Sequence, residues 1–287
     1  MVEHRNFIDT HIHFWDLRNE YPWIENNSNN DLKQNYLIED FIDDVKKLPL
    51  KKIVHVQAEI SKKNKLKETK WLQKISDSHP LKFPNAIIGF VDLKDSDAEK
   101  DLEEHMNFQN FRGIRQILKN KEHDNDLMLN NIWLENFKLI NKFNLSFDLL
   151  IYYSQYKLAI DVIKKFPNVQ FVINHCLWPE ESIGDFEGWT TAIREISGLD
   201  NVALKISGFG EWKIDWNTNF ISNYINIALD AFGTKRCMFA SNFPVDKFIS
   251  HSSYESFWSA YFKITSHLSN DEANDVFMKN AEHYYKI

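Results

Sequence analysis

The chain has 287 residues, 43% hydrophobic and 14% aromatic with nine Trp, which is enough apolar material for a large core and excludes extended disorder. A net charge of −7 without a basic stripe excludes a nucleic-acid binder. No apolar run reaches the roughly 18 residues of a membrane span, and Met1-Val-Glu-His-Arg5 has no apolar signal region, so a cytoplasmic protein without a membrane segment is expected.

The first predicted element is a strand through Phe7-Ile-Asp-Thr-His-Ile-His-Phe-Trp15. Side chains alternate along a strand, so His11 and His13 share a face with Cα atoms about 7 Å apart, a spacing suited to one metal ion or one small anion. The apolar start at Phe7 and Ile8 reads as a strand leaving a core for a polar site, with Trp15 and Asp16 at its exit. The Asn-rich piece from Glu25 to Asp31 reads as a loop on the rim. A helix over Ile38–Lys47 leads to a strand over Lys52–Glu59, β-branched and apolar with Gln57 and Glu59 arriving at its end. The same grammar then recurs, with strands over Ala86–Asp92, Phe111–Leu118, Leu145–Leu150, Val169–His175, Val202–Ser207 and Arg236–Asn242. The intervals carry helices over Lys65–Ser78, Ala98–Asn107, Ile132–Lys142, Lys157–Lys165, Trp189–Ser197 and Phe220–Phe232, and Tyr254–Thr265 closes the series.

Eight serial βα units predict an α/β chain folded as a single-domain (β/α)8 TIM-like barrel over residues 1–287. An open doubly wound sheet fits less well, because its first turn is usually glycine-rich and here it carries histidines. Cys176 and Cys237 are too few and too distant for a disulfide framework and read as buried thiols.

In such a barrel the C-terminal strand ends share one mouth. They deliver His11, His13, Gln57, Glu59, Asp92, Arg112, Arg115, Gln116, Asp148, His175, Lys205, Ser207, Ser241 and Asn242. His11, His13 and His175 form a three-imidazole set of the kind zinc favours, with a position left for the attacking water. Arg115 and Lys205 suit a carboxylate or an oxygen-rich substrate. Trp15, Trp178, Tyr152 and Tyr153 offer flat walls, although Tyr152 and Tyr153 cannot both point inward from one strand.

Taken together, Ile8-Asp-Thr-His-Ile-His-Phe-Trp-Asp16, Tyr21-Pro-Trp23, Val54-His-Val-Gln57, Arg112-Gly-Ile-Arg115, Asn174-His175, Lys205-Ile-Ser-Gly208, Met238-Phe-Ala-Ser-Asn-Phe-Pro-Val245 and Asn280-Ala-Glu-His-Tyr-Tyr285 resemble the amidohydrolase-related family of metal-dependent hydrolases. Within it they most resemble the branch of the sugar-acid lactonases. The resemblance implies a distorted (β/α)8 barrel whose active site is lined by His11, His13 and His175, and hydrolysis of a cyclic ester. Members of the branch vary in whether they need a metal, so the match does not settle the ion; from the imidazole set one divalent ion, zinc above others, is expected, with metal-independent chemistry left open.

The chain departs from the family where strand eight usually ends in Ser-Asp, since it has Ser241-Asn242. An amide cannot accept a proton at neutral pH. Three possibilities follow: Asp148, Asp246, Glu59 or His175 acts as base, with Asp246 foremost and Asn242 orienting the water; the chemistry proceeds with a neutral residue; or the chain binds without turnover. The expected function is opening of a sugar-acid or small dicarboxylate lactone. The alternatives are a metal-dependent decarboxylase, or a silent barrel that binds a sugar acid. A homodimer is an expectation by analogy alone.

Overall fold

Eight parallel strands alternate with eight long helices in the computed structural model, which describes residues 5–46, 48–120, 126–179 and 185–287. The strands are β1 (Phe7–Ile12), β2 (Leu50–Val56), β3 (Ala86–Gly89), β4 (Phe111–Ile117), β5 (Ser146–Leu150), β6 (Gln170–Ile173), β7 (Val202–Ile206) and β8 (Cys237–Phe239). They lie in sequence order in one sheet. The helices are α1 (Ile38–Val45), α2 (Lys65–Ser78), α3 (Ala98–Met106), α4 (Asn131–Lys142), α5 (Tyr156–Lys165), α6 (Phe186–Ser197), α7 (Thr218–Phe232) and α8 (Tyr254–Ile264). Every predicted strand and helix is present, and most strands end one to three residues early because the groups that face the mouth have left the ladder. Lys47, the predicted end of the first helix, and residues 1–4 of the leader lie outside the described residues.

Helix α4 illustrates why the elements form where they do. The Asn130 side chain accepts from the backbone N–H groups of Ile132 and Trp133 at 3.0 Å each, satisfying two orphan donors at a contribution of about 1 kcal/mol. Trp133, Phe137 and Ile140 recur at helical spacing and are buried. Phe137 stacks on Phe171 of β6 at 5.5 Å and meets Phe147 of β5 edge-on at 4.9 Å. Burying each such ring stabilises the fold by about 1.5–3 kcal/mol, which fixes α4 across the outer faces of both strands.

The seam between β1 and β8 nearly closes the sheet. Ile12 bridges Phe243, Thr10 Oγ1 donates to the Phe239 carbonyl at 3.1 Å, and the Asn242 N–H donates to the His11 carbonyl at 2.9 Å. Closure therefore sets Asn242 directly beside the histidine pair. At the opposite end, the chain continues past α8 as a helical segment over Asn270–Tyr285 interrupted by a π turn at Asp275–Lys279. Ala281 and Tyr285 of this segment pack on the inward-facing Ile8, Val54, Ala86, Val172, Ala203 and Met238 and plug the N-terminal end of the barrel. Among the described residues no helix is long and apolar enough to cross a membrane.

Candidate active site

The three histidines singled out from sequence do meet. The His11 ring lies 4.9 Å from that of His13 and 4.4 Å from that of His175. His13 Nδ1 donates to the Val56 carbonyl at 2.7 Å, which fixes its proton and leaves Nε2 as an acceptor. The Nε2 of His11 stands 3.2 Å away and donates to it. His175 is held through Nδ1 by Ser207 Oγ at 2.9 Å, and against its ring lies Gly208, where an added Cβ would come within 2.8 Å of the imidazole. Gly208 also has φ of +80°, so glycine serves both the turn and the close approach. Burial, then neighbouring cations and imidazoles, holds all three histidines well below the usual histidine range, hence neutral at pH 7.

Arg115 from β4 enters the same space. Its Nη2 donates to the Gln57 carbonyl at 2.6 Å and its Nη1 lies 3.4 Å from His11 Nε2. The Nε–H is buried and has no partner among the described residues. A buried, unmatched guanidinium N–H is costly, and it leaves Arg115, which lines the pocket, with donor capacity the fold does not use.

Opposite Arg115, an amide links two acids. Asn242 Nδ2 donates to Asp246 Oδ1 at 2.7 Å and to Glu211 Oε2 at 3.1 Å. Two carboxylates flanking one amide can be matched only by its NH2 group, so the Asn242 carbonyl oxygen is the pole offered to the pocket. Asp246 in turn accepts from the Gly210 N–H at 2.8 Å. Burial first, then the charge of Glu211, pushes Asp246 well above the usual carboxylate range.

These groups surround a pocket of about 90 Å³ lined by His13, Arg115, His175, Glu211 and Asn242, with Glu59 and Lys119 at its rim and Trp23, Trp178 and Ile117 among its walls. Burial raises the Glu59 carboxyl, while Arg115 and Lys119 lower it. Glu59, His175, Trp178 and Asn242 all have positive φ, between +43° and +57°. Such conformations are rare outside glycine and concentrate where a site over-determines them.

Several sequence-derived assignments need correction. Asp148 and Lys205 are fully buried below the pocket, paired to each other at 2.6 Å. Tyr285 and Asn174 donate to the same carboxylate, so neither member of the pair is placed to meet substrate. Trp15 is fully buried, donates to the Gln34 carbonyl at 2.6 Å and packs behind Trp23, which holds the wall position instead. Tyr152 opens the turn at Tyr153–Gln155 and does not line the pocket. Asp246 stands behind Asn242, and Gln57 lines an adjoining chamber. The residues overlooked from sequence are Glu211, Lys119 and Trp23. Glu211 lies four residues past the Ser207 strand end, and Trp23 lies within Tyr21-Pro-Trp23, so both belong to strand-to-helix loops where barrel sites are built.

The expected divalent ion was tested against these donors. The two Nε2 atoms of His11 and His13 are spaced like two ligands of one ion with bonds of about 2.1 Å. Yet among the described residues no group of three or more His, Cys, Asp or Glu is arranged to hold a metal. Position 242 supplies an amide in place of a carboxylate, and Arg115 brings positive charge against His11 Nε2. Among the described residues, His11 Nδ1 is buried without the anchoring partner a ligating imidazole ordinarily has. The donor set does not fit a resident cation.

A family model described as amidohydrolase matches residues 8–287. The uncharacterized protein y4mH of Sinorhizobium fredii is 38% identical over 98% of both chains. An L-fucono-1,5-lactonase of Burkholderia ambifaria is 25% identical over 98% of this chain and 95% of its own. In structure, an amidohydrolase of Burkholderia multivorans with bound zinc superimposes with a TM-score of 0.86 at 23% identity, covering 99% of this chain and all of that one. The match over nearly the whole length, on a barrel whose mouth gathers the expected histidines, establishes that this chain belongs to the amidohydrolase family.

Proposed function

We propose that the protein hydrolyses a small lactone without a resident metal ion, and that Glu211 is the general base. The observation that carries this reading is the Asn242 amide, which fastens Glu211 at the pocket opposite a buried Arg115 that has an unused N–H. Glu211 takes a proton from water as its oxygen attacks the ester carbonyl, and Arg115 stabilises the oxyanion as negative charge develops there. Collapse of the tetrahedral intermediate expels the ring oxygen, which recovers the proton from Glu211, giving the open hydroxy acid. Neutral His175, held by Ser207 through Nδ1, hydrogen-bonds ring substituents through its other nitrogen, His13 forms part of the wall beside them, and the Asn242 carbonyl accepts from the attacking water. Esters need less activation than amides, so a base and a cation in a partly water-excluded pocket suffice. Glu211 supplies the carboxylate whose loss at position 242 favoured a silent binder, and the name of the Burkholderia ambifaria relative supports lactones as the substrate class.

The test is hydrolysis of a panel of aldonolactones, plain δ-lactones and pyrone carboxylates, with and without chelator. Activity is expected to survive chelation, and Glu211→Gln to lower kcat about 10²–10⁴-fold with little change in melting temperature. Hydrolysis that Glu211→Gln leaves untouched, or that vanishes on chelation, overturns the reading.

A further inference from the structure

Beside the inner pocket lies a second chamber of about 400 Å³, sharing Trp23, Glu59 and Ile117 with it as common walls. The inner pocket alone falls well below the roughly 300 Å³ at which small-molecule sites begin, whereas the outer one lies within their range. The chambers together therefore suit a ligand larger than the reacting ring.

The chemistry of the outer walls narrows the ligand. Pro22, Trp23, Ile60, Phe90, Ile117 and Leu127 present apolar surface. Most of the polar groups among them are already engaged, the Glu59 carboxylate at the wall shared with the inner pocket being the exception. Lys62 is paired with Asp92 at 2.5 Å, and Gln116 donates to Asp92 and accepts from Trp133 Nε1 at 2.9 Å. Gln57 Oε1 accepts from the Glu59 N–H at 2.6 Å, and Ser61 Oγ from Asn64 at 3.0 Å. Such a wall rewards burial of apolar area and offers a hydroxylated group few new partners.

We infer that the outer chamber is a second subsite for an uncharged apolar substituent, so that the preferred substrates are lactones bearing an alkyl or aryl group. This rests on the lactonase reading for the ring, while the subsite itself stands on the outer walls. The ring carbonyl sits at Arg115 and the substituent passes between Trp23 and Ile117.

The experiment compares δ-valerolactone with δ-decalactone, which adds a pentyl chain to the same ring. The wild-type kcat/KM is expected to be at least tenfold higher for δ-decalactone, and the ratio to fall toward one in both Leu127→Asp, which charges the wall, and Leu127→Trp, which fills the chamber. Equal values in the wild type, or a ratio unmoved by both variants, overturns the subsite. If neither lactone is opened, the lactonase reading fails separately. Calorimetric titration with the non-hydrolysable 6-pentylpiperidin-2-one then decides: binding weakened at least tenfold in both variants upholds the subsite, and no binding, or binding indifferent to them, removes it.

Discussion

Two sets of charged groups inside the barrel are neighbours in register yet are treated in opposite ways. Arg115 on β4 and Asp148 on β5 are paired residues of adjacent strands. Asp148 is saturated, with Lys205 at 2.6 Å, Tyr285 at 3.0 Å and Asn174 at 2.9 Å. Arg115, by contrast, leaves Nε unmatched, and the acids that face it across the pocket, Glu59 and Glu211, are not paired to it. The difference teaches which buried charges are structure and which are site. A saturated cluster fixes the interior, whereas a partly matched one holds its remaining valence for a ligand.

The largest expected effect breaks the saturated set. Asp148→Ala strands the Lys205 ammonium, which burial has already lowered to about 8, and removal of one partner from a buried pair typically costs about 3–5 kcal/mol. Urea unfolding should report that loss, and the double variant Asp148→Leu with Lys205→Met should recover most of it. A loss below about 1 kcal/mol with kcat abolished would instead move Asp148 into the working site, against the contrast drawn above.

A smaller effect sharpens the other side. Asn242→Asp exchanges the NH2 group that Glu211 and Asp246 share for a third carboxylate against both. Close carboxylates cannot all ionise, so one takes up a proton, and the base is lost over part of the neutral range. Lactone hydrolysis at pH 7 should fall about tenfold or more, with its pH profile displaced to higher pH. A gain in rate would show that the base belongs at position 242, as in the family pattern.

The order of strands and helices was legible because each βα unit carries its own signals, such as the Asn130 cap and the Trp133, Phe137, Ile140 stripe. The convergence of His11, His13 and His175 followed from strand ends alone. What sequence could not rank was height along the barrel axis. Lys205 lies in β7 and Ser207 just past its end, yet Ser207 reaches the His175 ring and Lys205 the Asp148 carboxylate beneath. Glu211 escaped because its place is set by a turn that depends on the positive φ of Gly208 and by Asn242, neither visible in hydrophobic periodicity. Tyr285 reaches Asp148 across more than a hundred residues of chain, a contact no local pattern encodes.

Histidines are divided by position rather than by matching, and here the expected effect on hydrolysis is smallest. His55 on β2 is fully buried and accepts the Phe14 N–H through Nε2 at 2.8 Å, while its Nδ1 has no partner among the described residues; it lies outside the pocket that His13, its neighbour at 6.1 Å, faces. Burial lowers His55 to about 3 from its ordinary 6.5. Below pH 6.5 the unfolded chain binds a proton that the folded chain refuses, so stability falls with pH at about 1.4 kcal/mol per unit until the folded value is reached. Between pH 7 and 5 this one ring accounts for a loss of about 2 kcal/mol. His55→Gln keeps an acceptor for Phe14 and has no proton to gain, so its unfolding free energy should decline less steeply over that interval by the same amount, while lactone hydrolysis at pH 7 stays within about twofold. An unchanged slope would mean that His55 is protonated in the folded state, and the separation between structural and pocket-facing imidazoles would have to be drawn elsewhere.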